Sequence, residues 1–489
     1  MIWGMVMEHS KLEKHKFKKG KFITPWNDML GDIGVMQNWA LERLPEYIWI
    51  GLIFEEYGRK KGLEKCYEMI TKLHELNPEI NAPTISNILS MDDIKQEQFW
   101  NFVKENAEKK VLAPLTLIYT YRRYKIFNKL FRDNEDYETK VNRICDVLRK
   151  GFDGHSFFAT DIRFVVLYFV LLQGRLHVPE NILETICEYP HIEHKDERMR
   201  LVRPTIRSME MGTLDMGNVD KRNLEIFWKR ISEMSECETF YIEYDNLAEC
   251  PESYLDFLQE IFEYLTKVFV STAPLNEKYL VILGISTYAY KRIKELVEHD
   301  LYNEISGRGI IRNLIEDYIM LKYLILHEEE HQNIWNEYQY YGIGLYKLVM
   351  TRERNTPCSY KDGHVNYRYI ELLVNEYMDE EYINMDTSYF DKQAIRVKAK
   401  EVGEEELYKL FYDYDSSFEH GLWGAVRESA LLKCNSPAHQ YHCVPDCIGI
   451  QKLPSVWKDC VRTMNKILAI IDGYISIPKQ LLEEVQKFE

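Results

Sequence analysis

Residues 308–326 read RGIIRNLIEDYIMLKYLIL. Wound at 3.6 residues per turn, this stretch is apolar around most of its circumference and contains no Pro. Such a helix belongs at the centre of a bundle and not on its surface. Among the charges that interrupt it, Arg312 and Glu316 lie at i and i+4, which places them on one helix face. A charge on a buried helix is costly unless it is paired. The pair therefore reads either as an internal ion pair that fixes helix register or as part of the lining of an interhelical pocket.

The rest of the chain repeats this helical signature. From Leu44 onward, apolar residues recur at helical spacing, with Pro45 at a first-turn position and EYIWIGLIFEEYGRKKG running to Gly62. A second helix, Leu63–Leu76, is expected to close at Asn77-Pro78, and further pairs at 112–131 with 137–151 and at 159–173 with 180–188. The run FVVLYFVLL (164–172) has nine residues between Arg163 and Arg175. A bilayer needs about 20, so this is a buried helix and no membrane partner is expected. A further helix covers 253–270, and longer ones cover 276–299, 308–341, 366–385, 403–433 and 453–474. Few stretches alternate with period two, so no sheet is expected. The fold class is all-α: an N-terminal stack of helix pairs followed by a C-terminal helical bundle. Ser271-Thr-Ala-Pro274 is the expected junction. The domains are then a basic arm (1–24), a helical domain starting at Pro25 and Trp26 (25–273) and the bundle (274–489).

Composition agrees with a globular chain. Of 489 residues, 46% are hydrophobic and 29% charged, with only 23 Gly and 15 Pro, which excludes linker-rich and collagen-like classes. The formal charge of −16 excludes broad, non-specific binding to phosphate backbones. The strongly basic stretch is HSKLEKHKFKKGK (9–21), a solvated, frayed terminus or a phosphate-binding arm. Ten Cys at irregular spacing, in a chain this long, fit reduced cytosolic thiols and a cytoplasmic protein.

Three motifs carry chemistry. His327-Glu328-Glu329-Glu330-His331 fits the H-E-x-x-H pattern, in which two His on one helix face bind zinc and the Glu acts as base; Glu376 is the third ligand this would need. Three consecutive carboxylates read more simply as a helix emerging into water. The loop CNSPAHQYHCVPDC (434–447) gathers Cys434, His439, His442, Cys443 and Cys447 without the paired spacing of a structural zinc site. It reads as a packed, hydrogen-bonded loop whose imidazoles face a pocket, and neither a metal nor another cofactor is expected. In DYDSSFEHGLWGAVR (413–427), Asp413, Ser416/Ser417, His420 and Arg427 share one stripe of a continuous helix. Gly421 and Gly424 around Trp423 suggest close approach of another group.

From about 280 to 445 the chain resembles a bacterial all-α family of unknown function, through RNLIEDYIMLKYL (312–324), YDSSFEHG (414–421) and CNSPAHQYHCVP (434–445). KHKFKKGKFITP with RLPEYIWIGLI (43–53) also resembles uncharacterised bacterial proteins. A looser resemblance is to helical toxin and phage-defence RNases that use a buried Arg and His, and it implies RNA cleavage without a metal.

The expected site joins His420, Arg427, Arg312, Glu316, His439 and His442 in one pocket. There Arg would hold an RNA or other phosphate-bearing substrate and His would act as acid or base. Two alternatives are a non-catalytic interaction or regulatory protein that meets a protein partner through its N-terminal helical domain, and a zinc-dependent hydrolase using His327 and His331.

Overall fold

A computed structural model describes residues 12–24, 38–213, 220–244, 250–272, 276–356, 363–376 and 392–489. The chain is all-α, and its strands are two to four residues long. It divides into two compact units. The first holds residues up to Thr239 together with Lys433–His442, and the second holds Phe240–Leu432 and Cys443–Glu489. The junction expected at Pro274 lies outside the described residues. The helices on either side of it both belong to the second unit, and the change of unit falls at Thr239 instead.

The expected start of order at Pro25 and Trp26 also lies outside the described residues. Part of the basic arm is a hairpin, β1 (Lys16–Lys18) and β2 (Lys21–Ile23), with Phe17 opposite Phe22. Lys19 and Gly20 both have positive φ, the backbone a two-residue hairpin turn requires.

In the first unit, α1 (Ile48–Leu76) is the central element, and it packs against α2 (Asp93–Asn106), α3 (Tyr137–Gly151) and α4 (Phe157–Leu172). The 48–76 stretch is kinked, but at Gly58 (φ 69°, ψ 179°) and not at Gly62. Gly58 takes a backbone conformation open mainly to glycine, whereas Gly62 stays helical with Phe54 packed over it. Between Lys109 and Phe131 the chain forms short α and 3₁₀ turns around Pro114 in place of one helix. Side-chain oxygens of Asp92, Asp136 and Ser156 cap α2, α3 and α4 by accepting from the amides of Lys95, Thr139 and Ala159. α5 (Met199–Thr213) then packs on α4, and α6 (Lys221–Glu233) completes the unit's helical frame.

Buried charges tie these helices. Asp161 on α4 accepts from Arg59 Nε at 3.0 Å and Tyr189 Oη at 2.7 Å, and His194 Nε2 lies 3.1 Å away. Glu210 on α5 is fully buried; it forms an ion pair with Arg43, and Arg163 Nη1 lies 3.9 Å from its other oxygen. Both guanidiniums lie over Trp39.

The second unit contains α7 (Pro251–Thr272), α8 (Glu277–Glu298), α9 (Ile305–His327), α10 (Ile334–Asn355), α11 (Ile395–Glu401), α12 (Asp413–Glu419), α13 (Trp423–Ser429) and α14 (Trp457–Asp472). α9 contains the apolar stretch 308–326. It is central, packed against α8, α11, α12 and α14. The expected helix over 308–341 is interrupted: α9 ends at His327, and Glu328–Glu330 form a turn. The expected helix over 403–433 is likewise broken at Gly421 (φ 56°) and ends in the strand Leu431–Cys434. No helix of the described residues is long and apolar enough to cross a membrane.

Candidate functional site

In the second unit, α9 presents Arg308, Arg312 and Glu316 at intervals of four, one stripe facing α12. Gly309 on the same helix lacks a side chain where the Glu419 carboxylate lies against it, so the two helices meet closely there. Arg308 and Asp415 form the buried end of the stripe. Their nearest charged atoms are 3.9 Å apart, and Arg308 Nη2 donates to the Pro454 carbonyl at 2.6 Å. Burial pushes the Asp415 carboxyl up to about 7, with Arg308 opposing the rise.

One turn along, Arg312 is partly open to solvent. Its Nε donates to Ser416 Oγ at 3.1 Å, Nη1 to Glu316 Oε2 at 3.1 Å and Nη2 to Tyr412 Oη at 2.5 Å. Tyr412 Oη in turn donates to Glu316 Oε2 at 3.1 Å, and Ser416 Oγ donates to the Tyr412 carbonyl at 2.7 Å. The guanidinium also lies 4.5 Å from the centre of the Tyr412 ring. The expected internal pair of Arg312 with Glu316 is thus present, extended by two hydroxyls from α12 and the turn before it.

His420 follows Ser416 by one helical turn and caps α12, where it is exposed. It therefore shares the stripe of Tyr412 and Ser416. Because Gly421 breaks the helix, Arg427 belongs to the separate helix α13, and its Nη1 donates to the Leu431 carbonyl at 3.4 Å. His439 and His442 belong to the first unit. Of the six expected residues, Arg312 and Glu316 are joined directly, Tyr412 is added to the pair, and His420 stands one turn beyond Ser416, which Arg312 contacts. Among the described residues, nothing lies within 4 Å of where a side chain on Gly421 or Gly424 would begin, and Trp423 is exposed.

The zinc-hydrolase helix is not formed. The helix ends at His327, whose Nε2 lies 3.1 Å from Glu401 Oε2, while His331 Nε2 lies 2.9 Å from Glu337 Oε1. Glu328, the base in that scheme, accepts from Lys278 Nζ at 2.7 Å and Trp335 Nε1 at 3.1 Å. Glu376, the third ligand, sits at the end of the helix Tyr367–Asn375, and no metal-binding group among the described residues includes it.

A second cluster forms entirely within the first unit. Cys237, Cys434, His439 and His442 each offer one ligand atom, all within 4.8 Å of one another. His442 Nε2 lies 3.2 Å from Cys237 Sγ and 3.4 Å from His439 Nδ1. His439 Nε2 lies 3.1 Å from the Ser235 carbonyl, and the Ser436 amide donates to Cys434 Sγ at 3.4 Å. The loop is held by its own backbone: the Cys434 amide bonds the His442 carbonyl, and the Asn435 amide bonds the Glu238 carbonyl at 2.8 Å. Its 3₁₀ turn, Pro437–His439, packs on α3 and α6 with Ala438 in the core. Gln440 (φ 55°) and Tyr441 (φ 51°) are both left-handed, a conformation that costs a side-chain-bearing residue about 1–3 kcal/mol. These two turns bring His442 back beside His439, and the Tyr441 ring packs edge-on against Phe152 at 4.5 Å. Sequence reading found three of the four residues. It missed Cys237, which lies far off in the chain with no neighbouring Cys or His to mark it.

No curated protein and no solved structure matches this chain. A match to a family model spans much of the second unit's site and stops inside the Cys/His loop, taking in Cys434 and His439 but neither Cys237 nor His442. Residues 283–439 match the model of DUF5677, a family of unknown function.

Proposed function

We propose that the chain is a helical, metal-independent phosphodiester-cleaving enzyme acting on RNA, suited to a toxin or phage-defence role, with its site on α9 and α12. The observation that carries this reading is the meeting of Arg312, Tyr412 and Ser416 at a partly open position, one turn from the exposed His420. A guanidinium has five N–H donors in a plane, and three of those of Arg312 are engaged. The others suit a phosphate oxygen, where a preorganised cation stabilises developing negative charge. His420 would accept the proton of the RNA 2′-hydroxyl. The 2′-oxygen then attacks phosphorus, the 5′-oxygen leaves and recovers a proton from the imidazolium, and a 2′,3′-cyclic phosphate remains. The net charge of −16 makes such recognition local, since the field of the whole chain opposes it.

The pairing of Arg312 with Glu316 favours a second reading, a non-catalytic helical interaction protein in which this network only locks α9 to α12. Incubation of the purified chain with single-stranded and hairpin RNA, in the presence of a chelator, separates the two. On the enzymatic reading, cleavage leaves cyclic phosphate ends. His420→Ala lowers the rate by about 10²–10⁴-fold, as loss of a general acid/base does, with thermal stability unchanged because the residue is exposed. Wild-type protein that leaves both RNAs intact, or a His420→Ala variant as active as wild type, defeats the enzymatic reading.

A further inference from the structure

We infer that Cys237, Cys434, His439 and His442 form a structural zinc site in the first unit. Two thiolates and two imidazoles are the donor set of tetrahedral zinc, and their softness disfavours magnesium and calcium, which take oxygen ligands. Zinc–sulfur bonds of about 2.3 Å and zinc–nitrogen bonds of about 2.0–2.1 Å put the ligand atoms of a tetrahedron about 3.3–3.8 Å apart. Two of the separations here are 3.2 and 3.4 Å, and the widest falls within 4.8 Å, so closure onto one ion takes side-chain rotation and no backbone movement.

The surroundings are those of a ligand set. The Ser235 carbonyl accepts from Nε2–H of His439, which fixes the tautomer that leaves Nδ1 as the lone-pair donor, and Nδ1 is the atom facing His442. The Ser436 amide points at Cys434 Sγ, a contact that stabilises a thiolate. The spacing His-x2-His is shorter than the usual three to five residues between zinc-binding His. The left-handed Gln440 and Tyr441 overcome this by turning the chain sharply enough for both rings to face one point. Because all four donors are consumed by the protein, no position is left for substrate, so the ion is a brace and not a catalyst. It would hold the Cys434–His442 loop to the Ser235–Glu238 segment, which also bonds it through the Asn435 amide.

The test is metal analysis of the full chain purified without chelator or added metal, followed by cobalt substitution. One zinc per chain is expected. Cobalt should give the intense visible bands of a tetrahedral site and a thiolate-to-cobalt charge-transfer band. His442→Ala removes an exposed ligand, so the variant should fold. It should lose more zinc affinity than the about 10–100-fold that removal of a merely supporting group costs. Cys434→Ser should weaken the charge-transfer band, leaving only the contribution of Cys237, or fail to fold, whereas exposed Cys447→Ser should keep both metal and spectrum. Metal-free, folded wild-type protein that gives no cobalt spectrum overturns the assignment. So does a Cys237–Cys434 disulfide in protein isolated under reducing conditions, or a His442→Ala variant with wild-type zinc affinity. None of these readouts depends on RNA cleavage.

Discussion

Glu210→Gln should destabilise the first unit by about 3–5 kcal/mol, the cost of removing one partner from a buried ion pair. Glu210 is fully buried on α5 and holds Arg43 directly, with Arg163 at 3.9 Å. Arg43 and Arg163 are themselves only 4% and 5% exposed, so water cannot replace the lost carboxylate. Burial, with the charges of Arg43 and Arg207 adding to it, pushes the Arg163 guanidinium down to about 9. With Glu210 neutral, two guanidiniums remain beside Trp39 and repel each other in a medium that screens poorly. Adding Arg163→Met to Glu210→Gln should therefore restore part of the loss, because it removes one stranded charge and keeps apolar volume over the indole. Urea unfolding followed by tryptophan fluorescence measures both variants, with exposed Glu75→Gln as the reference. A Glu210→Gln midpoint equal to that of the reference, or a double variant weaker than the single one, would overturn this expectation.

That triad was invisible in the sequence, and the reason is physical. Glu210 lies in MRLVRPTIRSMEMGT, on the face that Met199, Val202 and Ile206 mark as buried, but nothing local names its partners, which come from distant Arg43 and Arg163. The helix α9 was legible because apolar residues cover most of its circumference over about five turns, which places it inside a bundle, and the helix is central as expected. Arg312 with Glu316 was legible for the same reason, since a charge on such a helix must find a partner. The stripe from Asp413 to Arg427 failed at Gly421, a residue that stops helices by taking a left-handed conformation. Reading Gly421 and Gly424 as allowing close approach of another group hid that simpler role. His327 and His331 failed similarly: three carboxylates in a row marked the helix end, and the structure ends α9 there.

The Cys/His loop shows a different limit. Its local spacing argued against zinc because a regular second pair was missing. The fourth donor comes instead from Cys237, brought in by tertiary folding, and two of the five local candidates, Cys443 and Cys447, stay out of the cluster. Motif spacing reports on ligands that share one turn of chain. It carries no information about a ligand delivered from another segment, and a site assembled in that way becomes readable only from coordinates.

The second unit should grow less stable as pH rises from about 4 to about 8, and Asp317 is the main cause. Burial pushes its carboxyl up to about 8; neighbouring Glu316 adds to the rise, and Arg292 opposes it. Its Oδ2 is buried without a hydrogen-bond partner among the described residues. In the unfolded chain an aspartate titrates near 3.9, so between the two values the folded protein retains a proton that the unfolded protein has released. The unfolded state then binds fewer protons, and stability declines with rising pH until the folded carboxyl also ionises. Asp415, raised to about 7, contributes with the same sign over a narrower window. Asp317→Asn mimics the protonated acid at every pH. It should match wild type near pH 4 and exceed it near pH 8 by an amount of order a few kcal/mol, since a tenfold difference in proton affinity between folded and unfolded chain is worth about 1.4 kcal/mol. Chemical denaturation at both ends of that range reads the difference directly. Equal pH slopes for wild type and Asp317→Asn would show that Asp317 is ionised in the folded chain at neutral pH, with a charge partner supplied by the native state.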